Sequence, residues 1–413
     1  MRGPGRNRGS VRTGHRLAGA NVATALIVLA VSACSGGQAT SLPTTTPTAP
    51  ASSPSTSFAP STSATVPAGP TPTAIGAGLF KPAGSIDAAR VNATLLRDGR
   101  VLMVGGHDDS GDAVGSAQLF DPNSGAYTDA AGMLATARFD PAVLELQDGR
   151  VLVAGGEDGT QAPLASVELF DPSTGTFKAT GSMGTARSGA TAFLLPSGNA
   201  LVLGGRDANG DPLASAEVFD PKSGTFSSTG PMAAARDAFG AAQLPDGRIL
   251  VVGGCCKIAD PYLSAELYAP ATGLFAATGS MAVGRMFPAV AVLADGRVLV
   301  AGGNSSAVAE KPLASAEIFD PKTGTFSATG SMNTPRDGLD ATRLLDGRVL
   351  ISGGATDASA ELFVPGPGTF TLTGTMTTFR AGQTTATLLK DGRVFIQGGG
   401  AGQDAHSAEI YQP

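Results

Sequence analysis

Tryptophan is absent from the 413 residues, and charged side chains make up only 15% of them. Such a chain, with 57 glycines, must pack many small side chains closely and set its few charges at chosen points. Histidine is scarce: His15, His107 and His406 are all there is. The first 33 positions contain no acid but hold Arg2, Arg6, Arg8, Arg12 and Arg16; without them 23 basic residues face 34 acidic ones, a net charge of −11. An acidic body argues against sequence-independent nucleic-acid binding, which relies on a basic surface, so no nucleic-acid partner is expected. No Ser-His-Asp arrangement, phosphate loop or paired-carboxylate motif stands out. A site assembled from several loops would leave no linear trace, so this absence does not exclude an enzyme.

The basic start (2–16) runs into LAGANVATALIVLAVSA (17–33), an apolar stretch too short for a stable membrane span and laid out like a secretory signal. It ends Val31-Ser32-Ala33-Cys34, which resembles the lipobox of bacterial lipoproteins. That resemblance implies cleavage before Cys34 and a diacylglycerol on its thiol, whose two chains suffice for stable anchoring. Residues 1–33 are therefore expected to be a lipoprotein signal, with the mature protein on the extracytoplasmic face of the cell membrane. From 35 to 80 there is no charge, and Ser, Thr, Pro and Ala dominate. Such a run buries too little apolar surface to offset its ordering entropy, so 34–77 reads as a lipidated cysteine and a disordered tether.

The remainder is organised by Asp98-Gly99-Arg100-Val101-Leu102-Met103-Val104-Gly105-Gly106, whose pattern returns at 148–156, 197–205, 246–254, 295–303, 346–354 and 391–399. Seven copies at intervals of roughly 50 residues indicate an array. Within one copy, a small-residue apolar run (Ala289 to Leu293) precedes the Asp295-Gly296 turn. Val298 to Ala301 close on Gly302-Gly303, and after a polar loop come Ser315-Ala316-Glu317-Ile318-Phe319-Asp320-Pro321 and Thr325-Phe326. Four short runs punctuated by Gly, Pro and Asp predict a four-stranded antiparallel meander that needs neighbours to cover both its faces. The paired glycines, the Ser-Ala-Glu-x-Phe-Asp-Pro run and the later Gly-Thr-Phe resemble kelch repeats, including the propeller of galactose-oxidase-like proteins. The resemblance spans 78–413 and implies an all-β, seven-bladed kelch-type β-propeller. The last-strand tryptophan of that family is Phe or Tyr here (Phe80, Tyr127, Phe177, Phe226, Phe275, Phe326, Phe370), a swap that keeps the packing role. The chain ends at Pro413 after only three strands of its last unit, and Gly78-Leu79-Phe80 is an orphan fourth. The N-terminal strand is expected to complete the last blade and close the ring.

Strand alternation places the loops after the glycine pairs and the entries to the first strands on one face, and the Asp-Gly and Asp-Pro turns on the other. The first set varies between copies (107–115, 157–165, 206–214, 255–263, 304–314, 355–358), so a binding site is expected there. One arginine per repeat sits just before the first strand: Arg90, Arg138, Arg187, Arg236, Arg285, Arg336 and Arg380. These seven either ring the channel mouth as a carboxylate or phosphate site, as in kelch proteins that bind acidic peptides, or pair internally with Glu168, Glu217, Glu266, Glu317, Glu361 and Glu409. Gln118 replaces the glutamate in the first copy, which leaves Arg90 the arginine freest for a ligand.

Copper oxidation, implied by the galactose-oxidase resemblance, needs two tyrosines and two histidines. Only His107 and His406 remain outside the leader, and no matching tyrosine pair accompanies them, so neither a metal nor a cofactor is predicted. Those histidines with Asp108, followed by Asp109 and Asp112, are the metal-ligand candidates, although the aspartates lack a full calcium-loop pattern. Cys255-Cys256 invites a vicinal disulfide outside the cytoplasm. The expected function is an anchored binding or scaffold protein that recognises a protein or glycan through the variable-loop face. The alternative is a carbohydrate-active or metal-dependent enzyme of the cell envelope; the balance of motifs leans away from catalysis.

Overall fold

In a computed structural model the chain divides into two units, Met1–Thr71 and Pro72–Pro413. The structure describes residues 78–413 apart from 90, 256–259, 307, 308, 310, 383 and 401, and of 402 and 403 only the backbone. The expected signal, Cys34, the tether, Arg90 and Cys256 lie outside the described residues.

Seven four-stranded antiparallel sheets follow one another, each a blade. The first blade shows the pattern: Asn92–Leu95, Val101–Val104, Ala117–Asp121 and Ala126–Asp129, running from the axis outward. The second strand is buried throughout, as in Val101, Leu102, Met103 and Val104, because neighbouring blades cover both its faces. Its near-continuous β-branched and aliphatic sequence is the local signature of that burial. Seven hydrophobic clusters result, each shared by two adjacent blades.

Closure follows the predicted route. Leu79–Ser85 pairs antiparallel with Ser407–Gln412 and forms the outer strand of the last blade. Innermost strand Thr384–Leu388 touches both Asp340–Arg343 and Asn92–Leu95, so the last blade abuts the first. The seam is a true core: Val101, Met103 and Phe120 of the first blade pack with Leu389, Phe395 and Ile410 of the last. The rings of Phe120 and Phe395 stack at 4.6 Å.

Each blade also holds one aromatic pair between its third and fourth strands, with ring centroids 4.8 to 4.9 Å apart: Phe120–Tyr127, Phe170–Phe177, Phe219–Phe226, Tyr268–Phe275, Phe319–Phe326, Phe363–Phe370 and Phe80–Tyr411. Tilted pairs at this distance are favourable beyond their buried area. The absent tryptophan is thus replaced by two smaller rings per blade.

The glycine pairs explain themselves at the blade boundaries. The first glycine of every pair has a left-handed φ between 62° and 73°. In five blades the second donates its N–H to the next blade's arginine carbonyl, as Gly106 does to Arg138 at 3.0 Å and Gly254 to Arg285 at 2.8 Å. A side chain at the first glycine would strike that arginine's carbonyl, as Gly105 shows with Arg138, and one at the second would strike the entry segment of its own blade, as Gly106 shows with Ala89.

One inner-strand residue carries an electrostatic cost. Asp340 accepts the Ala386 N–H of the last blade at 2.9 Å, and desolvation outweighs that bond, raising its pKa to about 6. A carboxyl whose native pKa exceeds the unfolded value stabilises fully below about pH 4, and that stability falls as pH rises through about 6. The upward shift corresponds to about 3 kcal/mol at most, and partial solvent access lowers the expectation to about 1–2 kcal/mol. Asp340→Asn is therefore expected to raise stability by that amount at pH 7.5 and by nothing measurable at pH 3.5. Urea denaturation at both pH values checks it; equal gains at both would remove titration as the cause.

Candidate functional site at the channel mouth

The repeated arginines occupy keystone positions inside the blades. Arg138, Arg187, Arg236, Arg285, Arg336 and Arg380 are fully buried. Arg285 shows the common arrangement: Nη1 donates to the carbonyls of Gly302 and Ser315 at 2.9 and 2.7 Å, and Nη2 to Ser315 Oγ and Glu317 Oε1 at 3.0 and 3.2 Å. Ion pairs of 2.7 to 3.2 Å link all six to the glutamate of their own blade. Burial pulls Arg138, Arg187, Arg285 and Arg336 below the usual arginine pKa, with the partner glutamate pushing back. Guanidinium groups committed in this way, with no solvent access, cannot receive a ligand, so at these six positions the ion pair replaces the anion-site reading. In the first blade Gln118 is itself taken: it accepts the Asp87 N–H at 2.9 Å and donates to the Asp87 and Asp129 carboxylates at 2.6 and 3.1 Å.

The channel mouth is built by the residues directly after those arginines. A cavity of about 580 Å³ is lined by Asn92, Phe139, Asp140, Gly189, Ala190, Thr191, Arg206, Asp237, Ala238, Phe239, Phe287, Asp337, Gly338, Ala381 and Gly382, so every blade contributes. A chamber of about 270 Å³ continues from it, sharing Asn92, Phe139, Asp140, Phe239, Phe287 and Gly338 and adding Val91, Leu339, Thr384 and Thr385. Isolated bridges such as Phe139↔Glu157, Ser188↔Arg206 and Met286↔Asn304 tie each entry segment to the loop after the glycine pair. Both sets of loops therefore share this face, as strand alternation predicts.

The backbone at the mouth is strained in a regular way. The second residue after the arginine has a left-handed φ in five consecutive blades: Asp140 (52°), Gly189 (63°), Ala238 (54°), Phe287 (48°) and Gly338 (67°). Glycine is the unstrained choice there, yet three of the five keep a side chain at a cost of about 1–2 kcal/mol each. All three line the cavity. Ala238→Gly tests the cost most cleanly, since only a methyl is lost. After allowance for glycine's extra unfolded entropy it is expected to stabilise the protein by about 0.5–1 kcal/mol, read by urea denaturation. Destabilisation instead would show that the methyl packs usefully.

The charge at this mouth is unbalanced. Arg206 lies 3.5 Å from Asp237 and 3.8 Å from Glu157 and is the one cation among the described lining residues. Against it stand Asp140, Asp237 and Asp337, with Glu157 beside them. Desolvation raises the pKa of Asp140; Arg206 and Asn92 oppose the rise, and Glu157 and Asp237 add to it. Asp237 is raised for the same leading reason. Asp337 accepts from Asn304 Nδ2 at 3.1 Å. On the opposite face each Asp-Gly turn aspartate carries its own arginine, from Asp98–Arg100 at 2.6 Å to Asp391–Arg393 at 2.6 Å, so those charges cancel locally.

The two histidines do not share a centre. His406 places Nε2 2.9 Å from Asp109 Oδ1 and Nδ1 3.1 Å from the Ile86 carbonyl, clasping the seam between the last and first blades. His107 has Nδ1 3.1 Å from the Asp108 carbonyl and its ring 5.7 Å from Phe139. Asp108 caps its own loop, accepting the N–H groups of Ser110 and Asp112. Asp158 does the same in the second blade, with Thr160 and Ala162, which marks a loop-forming role for the position. Cys255 ends the second strand of the fourth blade opposite Asp237. Among the described residues no group of three or more His, Cys, Asp or Glu is placed to hold a metal ion.

Fold and repeat together define a seven-bladed β-propeller carrying Kelch motifs. The Kelch motif model matches residues 141–184, 198–233 and 285–333. No curated protein matches the chain. Among solved structures it resembles a fungal alcohol oxidase of the AA5 family in complex with copper. The TM-score is 0.67 at 20% identity, covering 82% of this chain and 77% of that one. At that identity the likeness concerns the fold. Copper does not fit the described lining residues of the mouth, which include no histidine, tyrosine or cysteine.

Proposed function

We propose that this protein is a binding module of the cell envelope, held at the outer face of the membrane by a lipid on Cys34 and engaging a ligand at the channel mouth. The observation that carries this reading is the mouth itself: all seven blades contribute to one cavity, and three of them keep strained side chains there. A concave, partly apolar cavity with a few convergent polar groups is the usual form of a ligand site. The lipobox-like Val31-Ser32-Ala33-Cys34 and the uncharged Ser/Thr/Pro-rich tether support the anchoring and the address. The described lining residues include no copper-type donors, which favours the binding reading over the oxidase-like one.

Photo-crosslinking tests the site. Benzoylphenylalanine at position 287, on the mouth, is expected to trap an adduct in cells, whereas at position 345, exposed on the opposite face, it is expected to trap none. The reverse result would move the site to the turn face. Labelling with an alkyne fatty acid tests the anchor and is expected to vanish in Cys34→Ser; persistent label would put the lipid elsewhere.

A further inference from the structure

The lining of the mouth indicates the kind of ligand. Three phenylalanines, Phe139, Phe239 and Phe287, line the cavity, and Phe287 remains 36% exposed. Among the described residues of the wall, Asp140 and Asp237 face one cation, Arg206, which Asp237 and Glu157 already hold. The arginines next in sequence add no usable positive charge, since each is buried on its own glutamate. Aromatic residues, and carboxylates that outnumber the cations among the described lining residues, suit a group that is positive and carries only hydrogen-bond donors.

We propose that the channel mouth binds an organic cation, an alkylammonium group received among Phe139, Phe239 and Phe287 and paired with the carboxylates of Asp140 and Asp237. This rests on the mouth being the ligand site. Among the described lining residues an anion would meet Asp140 and Asp237 with only Arg206 against them, which Asp237 and Glu157 already hold, and a neutral ligand would leave that carboxylate excess in place. The raised pKa values of Asp140 and Asp237 agree, since a bound cation would offset the desolvation that raises them. The ammonium has two natural sources, a free polyamine or a lysine side chain of a partner protein, and the two separate by experiment.

Isothermal titration of the full-length protein in detergent with spermidine, tetralysine and tetraglutamate tests the proposal. Spermidine or tetralysine is expected to bind, and Asp140→Asn and Asp237→Asn each to weaken it by about tenfold or more, as for loss of a charge-assisted contact. Asparagine tolerates the left-handed backbone at position 140, so folding is preserved. Phe287→Ala is expected to weaken binding by about three- to tenfold. Preference for spermidine would identify a free amine, and preference for tetralysine a protein partner. Failure of both at 1 mM, tighter binding of tetraglutamate, or cation binding indifferent to both asparagine variants would overturn the proposal. A persisting crosslink at position 287 would then show that the mouth is a site for another chemistry; loss of that crosslink too would remove the site itself.

Discussion

A chain shortened to begin at Ile86 is expected to lose cooperative unfolding and bind a hydrophobic dye at temperatures where the full protein stays folded. The segment removed is the outer strand of the last blade, Leu79–Ser85, paired along its length with Ser407–Gln412. Its loss exposes the edge of that partner strand and uncovers Tyr411, which is fully buried against Phe80 at 4.8 Å. A gentler version is Phe80→Ala, which deletes a 5% exposed ring from a core that also holds Leu350, Leu362, Val394 and Ile396. Truncation of a buried phenylalanine costs about 3–5 kcal/mol, so the urea midpoint should fall well below that of wild type. Equal removal at an open position, Leu79→Ala, should cost under about 1 kcal/mol, because that side chain is 54% exposed. If Phe80→Ala behaves like Leu79→Ala, the terminal strand does not close the ring.

The second large effect concerns the buried ion pairs. Arg285→Met should destabilise by about 3–5 kcal/mol, because Glu317 is left as a buried carboxylate without its cation. Two backbone donors, from Ala282 at 2.8 Å and Val283 at 3.3 Å, remain, but neither supplies charge. The carbonyls of Gly302 and Ser315 lose the arginine donor as well, although Ser315 keeps the Gly302 N–H. Arg285→Met combined with Glu317→Leu should be less damaging than the two single changes added together, giving a coupling energy of about 2 kcal/mol or more in a double-mutant cycle. Near-additivity, with loss of a bound anion instead, would return this arginine to a ligand role. The same cycle at Arg187 and Glu217 should match, since the repeat gives both pairs the same surroundings.

The repeat made the architecture legible. Seven glycine pairs and seven Ser-x-Glu (or Gln) strands count blades directly, and the missing fourth strand at Pro413 calls for the orphan at Leu79. The arginine–glutamate count also pointed to internal pairing, and Glu409 with Arg380 confirms it in the one blade closed from both ends of the chain. The candidate site was less legible. Attention to variable loops after the glycine pairs selected Asp108, His107 and Cys255, whereas the cavity is lined mainly by the first and second residues after each arginine. The signal was present: that dipeptide reads Phe139-Asp140, Ser188-Gly189, Asp237-Ala238, Met286-Phe287, Asp337-Gly338 and Ala381-Gly382, varied beside an invariant neighbour.

What the sequence determined by itself is the unit and its number, because strand period, turn chemistry and glycine placement are local and are written again in every copy. Closure followed from counting strands. What only the tertiary structure decided is which polar groups face one another. Asp140, Asp237 and Asp337 lie almost 200 residues apart from first to last, and they share one cavity only once seven blades are wound about one axis. The left-handed backbone at Ala238 and Phe287 runs against the propensity of those residues, and only the glycines at the same place in other copies, Gly189 and Gly338, hint at it.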